Sequence, residues 1–294
     1  MLRETAQRFA RARLHHGHGT HNAREEAAWL ISSVLGYLLE EEVRPKDQKK
    51  IDAFARRRIR ERIPMAYLLK EAWLGEHPFY VDQRAIVPRS FIAELLRDRL
   101  SPWLLREPRR ALDLCTGSGC LAVLLALTFR KARVDGADLS SDALAVARKN
   151  VDRYKLSKRI SLVKSNLFAS LGNRKYDLIV GNPPYVTARA MRKLPAEYRH
   201  EPALALAGGR DGLDLVHRML AGAKDHLTRG GLLVCEIGGN RRALERAYPK
   251  LEFAWPETSA GPGCVFILER DQLPRAARTA SSTRPRPRRA PPRR

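Results

Sequence analysis

The chain has 294 residues, 44% hydrophobic and 7% aromatic, a balance that excludes a wholly disordered protein and leaves room for a large α/β domain beside a smaller one. No uncharged apolar run nears the roughly 18 residues of a membrane helix, no signal-like apolar core follows the N-terminal arginines, and the four cysteines have neither paired-metal spacing nor disulfide-scaffold density, so a soluble, cytoplasmic protein with no membrane contact is expected. The formal net charge of +23, to which residues 274–294 add eight arginines and no acid, suits either RNA or another polyanion as a partner, or a merely solubilising surface.

Residues 1–70 read as helical. Ala27, Leu30, Ile31, Val34, Leu35 and Leu38 recur at three- and four-residue steps, and Ile51, Phe54, Ala55 and Ile59 repeat the pattern after Pro45. Residues 71–90 read as a hairpin and linker, with aromatic and β-branched residues around Gly75, Pro78 and Asp82 leading to Pro88. Helical spacing resumes over 91–100, and Pro102 and Pro108 bracket a boundary. From Arg109 strands and helices alternate. Strands are expected over 111–114, 133–137, 160–163, 176–180, 232–237 and 265–268. Helices are expected over 120–129, behind a Ser140 cap, and along Leu213, Val216, Leu220 and Ala223. This alternation predicts a parallel sheet with right-handed crossovers over 91–273. The Pro/Arg/Ser/Ala-rich tail, 274–294, is expected to be disordered.

Three local patterns carry chemistry. Asp113-Leu-Cys-Thr-Gly-Ser-Gly119 is a glycine-rich turn between a strand and a helix, where backbone can approach a ligand and amides are free. The third glycine of a dinucleotide fingerprint is missing, as is the Gly-Lys-Ser/Thr of a P-loop, which argues against NAD and ATP. Alone, the turn is either a ligand cradle or simply a tight βα turn. Asp138 ends the second strand, where a carboxylate can accept two hydrogen bonds from ribose hydroxyls, though a lone acid there can equally cap a helix. Asn182-Pro183-Pro184-Tyr185 follows the apolar strand 176–180. Its prolines stiffen the backbone and remove donors, so the Asn182 side-chain oxygen and the carbonyls of Asn182 and Pro183 can accept, while Tyr185 offers a flat face. Such a site suits a planar –NH₂ group.

Other polar clusters are open to two readings. His15, His16, His18 and His21 lie close enough together to suggest a metal, or an ordinary polar loop. Cys115 is a nucleophile or a small packing residue, and Glu236 a site acid or a loop anchor. Tyr198, Arg199, His200 and Glu201 form a substrate lip or a plain polar loop.

The three patterns resemble those of class I S-adenosylmethionine-dependent methyltransferases acting on exocyclic or amide nitrogens. Residues 62–73 (RIPMAYLLKEAW), 79–84 (FYVDQR) and 87–90 (VPRS) resemble the protein-(glutamine-N5) methyltransferase family. Residues 17–20 (GHGT), Asn22-Ala23, 113–120 (DLCTGSGC) and 197–202 (EYRHEP) resemble its ribosomal branch, which methylates a glutamine of large-subunit ribosomal protein L-three. The resemblance covers about residues 5–273. It implies a Rossmann-like seven-stranded sheet with a helical N-terminal domain that helps to recognise a protein substrate. It implies S-adenosyl-L-methionine as cofactor and no metal. The cofactor would be held by Asp113, Cys115, Thr116, Gly117, Ser118 and Gly119, with the turn at its methionine part, Asp138 at its ribose, Asn166 and Leu167 beside its adenine, and Asn182 nearby. The family usually has Asp where Asn166 stands, and Pro where Phe91 stands. Asn182 and Pro183 would grip the substrate amide, with Tyr185 packed on it and Pro184 completing the subsite. Two rival readings are a nucleic-acid exocyclic-amine methyltransferase, which the charge favours, and the release-factor branch, which usually has Pro-Arg-Pro in place of Pro88-Arg89-Ser90. The basic surface and tail would contact rRNA or a pre-ribosome.

Overall fold

The structure, a computed structural model, describes residues 1–36 and 44–274; Leu38 and the tail from residue 275 lie outside the described residues. The chain begins with α1 (Leu2–Arg11), α2 (Ala23–Leu35), α3 (Pro45–Glu61) and the short α4 (Met65–Leu69). Phe9, Ala27, Leu30, Ile31, Ile51 and Ala55 bury one face of each long helix in a shared core. Asn22 caps α2 by accepting the Arg24 and Glu25 amides, and Pro45 opens α3 at a position where no intrahelical bond is lost. β1 (Ala72–Leu74) and β2 (His77–Phe79) form the expected hairpin, and α5 (Ile92–Arg97) follows.

Next come β3 (Arg110–Leu114), α6 (Cys120–Thr128), β4 (Arg133–Asp138), α7 (Ser141–Arg153), β5 (Ile160–Lys164), β6 (Tyr176–Gly181), the single-turn α8 (Ala188–Met191), α9 (Asp214–His226), β7 (Leu227–Glu236), α10 (Arg241–Ala247) and β8 (Val265–Glu269). The sheet order is β5-β4-β3-β6-β7-β8. Apolar α6 is buried along Leu121–Ala126 on one face of the sheet, while Val216, Met219, Leu220 and Ala223 of α9 pack on the other. Each such Leu or Val contributes about 1.5–3 kcal/mol by burial.

The sheet departs from expectation in two ways. It is mixed rather than parallel, because β8 runs antiparallel to β7. The reason lies in the connection: after α10 the chain returns to the end where β7 stopped, with the Ile237 amide donating to the Cys264 carbonyl at 2.8 Å, and β8 then runs back. Among the described residues this sheet has six strands, the six that the residue pattern predicts, not the seven that the resemblance implies. In the seventh place, outside β8, only Ala254 pairs with Ile267. Pro249 and Pro256 flank that bridge and lack the amides a longer ladder requires.

Candidate active site

A cavity of about 790 Å³ opens at the carboxyl ends of β3, β4 and β6, where the strand order reverses. Cys115 and Gly117 of the β3–α6 turn form part of one wall, with Asp138 at the end of β4 and Leu139 and Ser140 just beyond it. Main-chain bonds tie this turn down. The Thr116 amide donates to the Ala137 carbonyl at 3.0 Å, and the Gly119 amide to the Thr116 carbonyl at 2.8 Å. Asp138 closes the arrangement, its Oδ2 accepting the Gly117 amide and its Oδ1 the Ser140 amide, both at 2.8 Å. A carboxylate has about four lone-pair positions, so two remain for the hydroxyls of a ribose. Burial raises the Asp138 pKa against the pull of these amide bonds.

The other predicted residues of the turn stand behind it. Asp113, Thr116, Ser118 and Gly119 are buried and do not line the cavity. Asp113 Oδ2 accepts the Thr116 hydroxyl at 2.5 Å and the Ala122 amide at 3.0 Å, which shapes the turn from below. Burial pushes the Asp113 carboxyl up to about 7, opposed by these two donors and assisted by Asp138. Gly119 adopts φ +77°, and a Cβ there would fall 2.9 Å from the Ala147 Cβ. Its conformational freedom therefore serves the packing of α6 on α7 rather than approach to a ligand.

Sequence reasoning missed Asn150. Fully buried in α7, it donates to the Ser118 carbonyl at 2.8 Å and the Tyr80 carbonyl at 2.9 Å, and accepts the Tyr80 amide at 2.7 Å. It ties the glycine turn to the exit of the hairpin. The available signal was an asparagine on the same buried stripe as Val146, Ala147 and Val151.

Asn166 and Leu167 line the next part of the wall. Arg218 Nη2 donates to Asn166 Oδ1 at 2.6 Å, so one lone pair of that oxygen is engaged and one is left for an amine. Cys115 and Leu167 adopt φ of 59° and 52°. This region costs an L-residue roughly 1–2 kcal/mol, and both residues that bear that cost here face the cavity. Burial pushes the Cys115 thiol far up, with Asp138 and Asp113 adding to the shift, so it remains neutral and unreactive.

The opposite wall is Asn182-Pro183-Pro184-Tyr185, directly after β6. Asn182 Nδ2 donates to the Arg89 carbonyl at 3.0 Å. That leaves Asn182 Oδ1 and the Pro183 carbonyl without a donor among the described residues. Tyr185 is fixed at both ends: its hydroxyl donates to Glu236 Oε1 at 3.1 Å, and its carbonyl accepts Asn240 Nδ2 at 2.9 Å. Gly238, at φ +53°, lies against the Tyr185 ring, where a Cβ would fall 2.7 Å away. Burial and then Glu236 raise the Tyr185 pKa, so the phenol stays protonated.

The remaining clusters resolve into supports. Tyr198 lines the cavity, Arg199 is exposed, and Glu201 is buried rather than part of a lip. His15 and His18 lie on the seam between the N-terminal helices and residues 197–201, whereas His21 is exposed and its amide donates to Glu25. His16 Nδ1 is 2.5 Å from Glu26, and the His15 amide donates to Glu197 at 3.1 Å. Arg58, only 1% exposed, reaches Glu26 at 2.5 Å and Glu197 at 3.3 Å. Glu236 is a buried loop anchor behind the cavity.

Residues 92–197 match the family model described as methyltransferase small domain. The hMettl16 catalytic domain, solved in complex with MAT2A 3′UTR hairpin 6, shares the fold with a TM-score of 0.51 over 82% of this chain and 91% of that chain, at 17% identity. The cavity lies at the switch point of the sheet, and the fold is that of a class I S-adenosylmethionine-dependent methyltransferase. Closer likenesses narrow the assignment. Ribosomal protein uL3 glutamine methyltransferases from Burkholderia pseudomallei and Bordetella pertussis are 47% and 48% identical, covering 94% and 93% of this chain and 95% of each relative. The Neisseria meningitidis serogroup B protein of that name is 49% identical over 93% of both chains. The chain belongs to the ribosomal protein uL3 glutamine methyltransferase family.

Proposed function

We propose that the chain transfers a methyl group from S-adenosylmethionine to the side-chain amide nitrogen of a glutamine in ribosomal protein uL3. One observation carries the amide reading: the Asn182 nitrogen is committed to the Arg89 carbonyl, which leaves a wall of acceptors, Asn182 Oδ1 and the Pro183 carbonyl, beside a flat ring. Two acceptors match the two hydrogens of a primary amide. A carboxylate or a hydroxyl in the same place would leave at least one of them unmatched.

The residues present fit the cofactor. Asp138 retains lone pairs for the ribose, Cys115 and Gly117 border the space for the methionine part, and Asn166 and Leu167 flank that for the adenine. When bound, S-adenosylmethionine supplies a methyl group already activated on a sulfonium, so the protein needs to position and orient. Asn182 and Pro183 hold the amide hydrogens, and Tyr185 sets the plane of the amide. With both hydrogens gripped, the nitrogen lone pair is less engaged in amide resonance and is directed at the methyl carbon. The surplus amide proton passes to water.

Residues 1–70 are read as the part that recognises the protein substrate, anchored to the catalytic domain through Arg58 and Glu197. The stretch 189–210, of which Leu194, Tyr198 and Leu204 line the cavity, favours a nearby RNA contact. Arg189, Arg192, Lys193, Arg199 and Arg210 are exposed and form no ion pair among the described residues, while Glu197 and Glu201 of the same stretch are buried in ion pairs. The exposed charge of that stretch is therefore positive throughout, which suits rRNA around uL3. No helix of the described residues is long and apolar enough to cross a membrane, in keeping with work in the cytoplasm.

The test is a labelled-methyl assay offering purified uL3, a peptide-release factor and rRNA side by side, with mass spectrometry of the products. A glutamine of uL3 heavier by one methylene is expected. Label confined to rRNA would replace this reading with the nucleic-acid one, and label confined to the release factor would move the chain to the sister activity.

A further inference from the structure

Residues 87–91 run between two buried carboxylates. On one side Glu201, whose side chain is fully buried, accepts the Val87 amide at 3.0 Å and both terminal nitrogens of Arg89 at 2.7 Å. His18 Nε2 stands 3.5 Å from the same carboxylate. On the other side Glu236 Oε2 accepts the Ser90 hydroxyl at 2.7 Å and the Phe91 amide at 2.9 Å, while its Oε1 holds the Tyr185 hydroxyl. Between them, the Arg89 carbonyl takes Asn182 Nδ2. Neither carboxylate lines the cavity, yet Asn182 takes its orientation from the stretch that they hold, and Tyr185 takes its own from Glu236 directly.

A buried carboxylate is costly unless hydrogen bonds satisfy it, and an apolar residue of similar volume often serves stability as well. Geometry supplies a reason for two such groups on five residues. An Asn amide can turn over about its last torsion, exchanging donor for acceptor. Only a fixed carbonyl on one side keeps Nδ2 there and the oxygen free. If residues 87–91 shifted, the Asn182 NH₂ could meet the substrate NH₂, donor against donor.

We propose that Glu201 and Glu236 are positioning residues for methyl transfer: through Arg89, Ser90 and Tyr185 they fix the direction of the Asn182 amide and the plane of the Tyr185 ring. This rests on the reading of Asn182 and Tyr185 as the amide site.

The experiment uses the full chain with Glu201→Gln, Glu236→Gln and Glu201→Asp, measuring kcat and KM for uL3, the dissociation constant of S-adenosylmethionine, and Tm. Because a misplacement of about 1 Å costs ~100-fold, each Gln variant is expected to lose between about 10- and 100-fold in kcat. Cofactor affinity should stay within about 2-fold, because the Asp138 side of the cavity is untouched. Glu201→Asp, which keeps the charge, should recover part of the loss. Combined with Tyr185→Phe, Glu236→Gln should cost less than the sum of the two single effects, because they share one hydrogen bond. If a Gln variant fails to fold, Ser90→Ala and Glu201→Asp carry the test, each with a smaller fall in kcat at unchanged cofactor affinity. Folded variants with wild-type kcat, or with a lowered Tm and nothing else, would overturn the proposal. An Asn182→Ala control separates the two readings. If it stays active, the amide site itself is misassigned; if it is inactive while both Gln variants turn over normally, only the positioning roles fall.

Discussion

The Asp138 side of the cavity is built from main chain within two neighbouring strands, whereas the Asn182 side is built from side chains that meet across much of the chain. Asp138 takes amides two and 21 residues away, and the turn it closes joins β3 to the strand beside it. Asn182, Arg89, Ser90 and Tyr185 find partners 93, 112, 146 and 51 residues away. Pairing of β3 and β4 brings the turn and Asp138 together, while the adenine wall at Asn166 also needs the chain beyond β5 and Arg218 of α9. The amide half needs the hairpin exit, β6 and β7 all in place. It should also be the half more easily disturbed without loss of cofactor binding.

The sharpest test of that division is Asn182→Ala. It removes the one side-chain acceptor on the amide wall and leaves every bond of the β3–α6 turn intact. By analogy with deleting one oriented group from an oxyanion hole, turnover should fall by about 10²- to 10³-fold, with calorimetric cofactor affinity near wild type. Residual turnover within a few-fold would show that the oxygen does not hold the substrate. Asp138→Ala is the complementary case. A net loss of about 1.5–3 kcal/mol, the contribution of one charge-assisted hydrogen bond, gives roughly a 10- to 100-fold rise in cofactor Kd. At saturating cofactor kcat should change little. If each substitution damaged both affinity and kcat, the two halves would not be separable.

The same contrast governs what could be read from the sequence. The glycine turn, Asp138 and the Asn-Pro-Pro-Tyr run are contiguous or a short step apart, so residue types and strand ends were enough to locate them. Local pattern could not tell which side of the turn faces the ligand. Asp113, Thr116, Ser118 and Gly119 sit behind it, while Cys115 and Gly117 face the cavity. Glu201 and Glu236 could be singled out in the sequence but not given a role, because their partners are distant and their burial is a property of the assembled fold. Apolar runs found the six strands of the sheet, and it was the seventh, implied by the resemblance, that shrank to a single bridge between prolines at the sheet edge. Asn150 was readable in principle, since a polar residue on a buried helical stripe must find partners.

The smallest expected effect concerns Asp113, which supports the turn without touching the cavity, and it appears in stability rather than turnover. Burial raises its carboxyl from an ordinary 3.8 to about 7, so between those values the folded chain holds a proton that the unfolded chain has released. The sign follows directly. The stabilisation is full below about pH 4 and is lost as pH rises towards 7, at up to about 1.4 kcal/mol per pH unit. His15 works in the opposite sense: burial lowers its pKa, so the folded state favours the neutral ring and gains stability as pH rises towards 6.5. A wild-type profile alone would mix the two. Asp113→Asn keeps an oxygen for the Thr116 hydroxyl and the Ala122 amide but cannot titrate. The difference in Tm between wild type and variant, followed from pH 5 to pH 8, therefore isolates Asp113. Wild type should lose ground to the variant by several degrees over that range, about 2–4 °C for each kcal/mol. Parallel profiles would mean that Asp113 is ionised throughout, its two donors outweighing its burial.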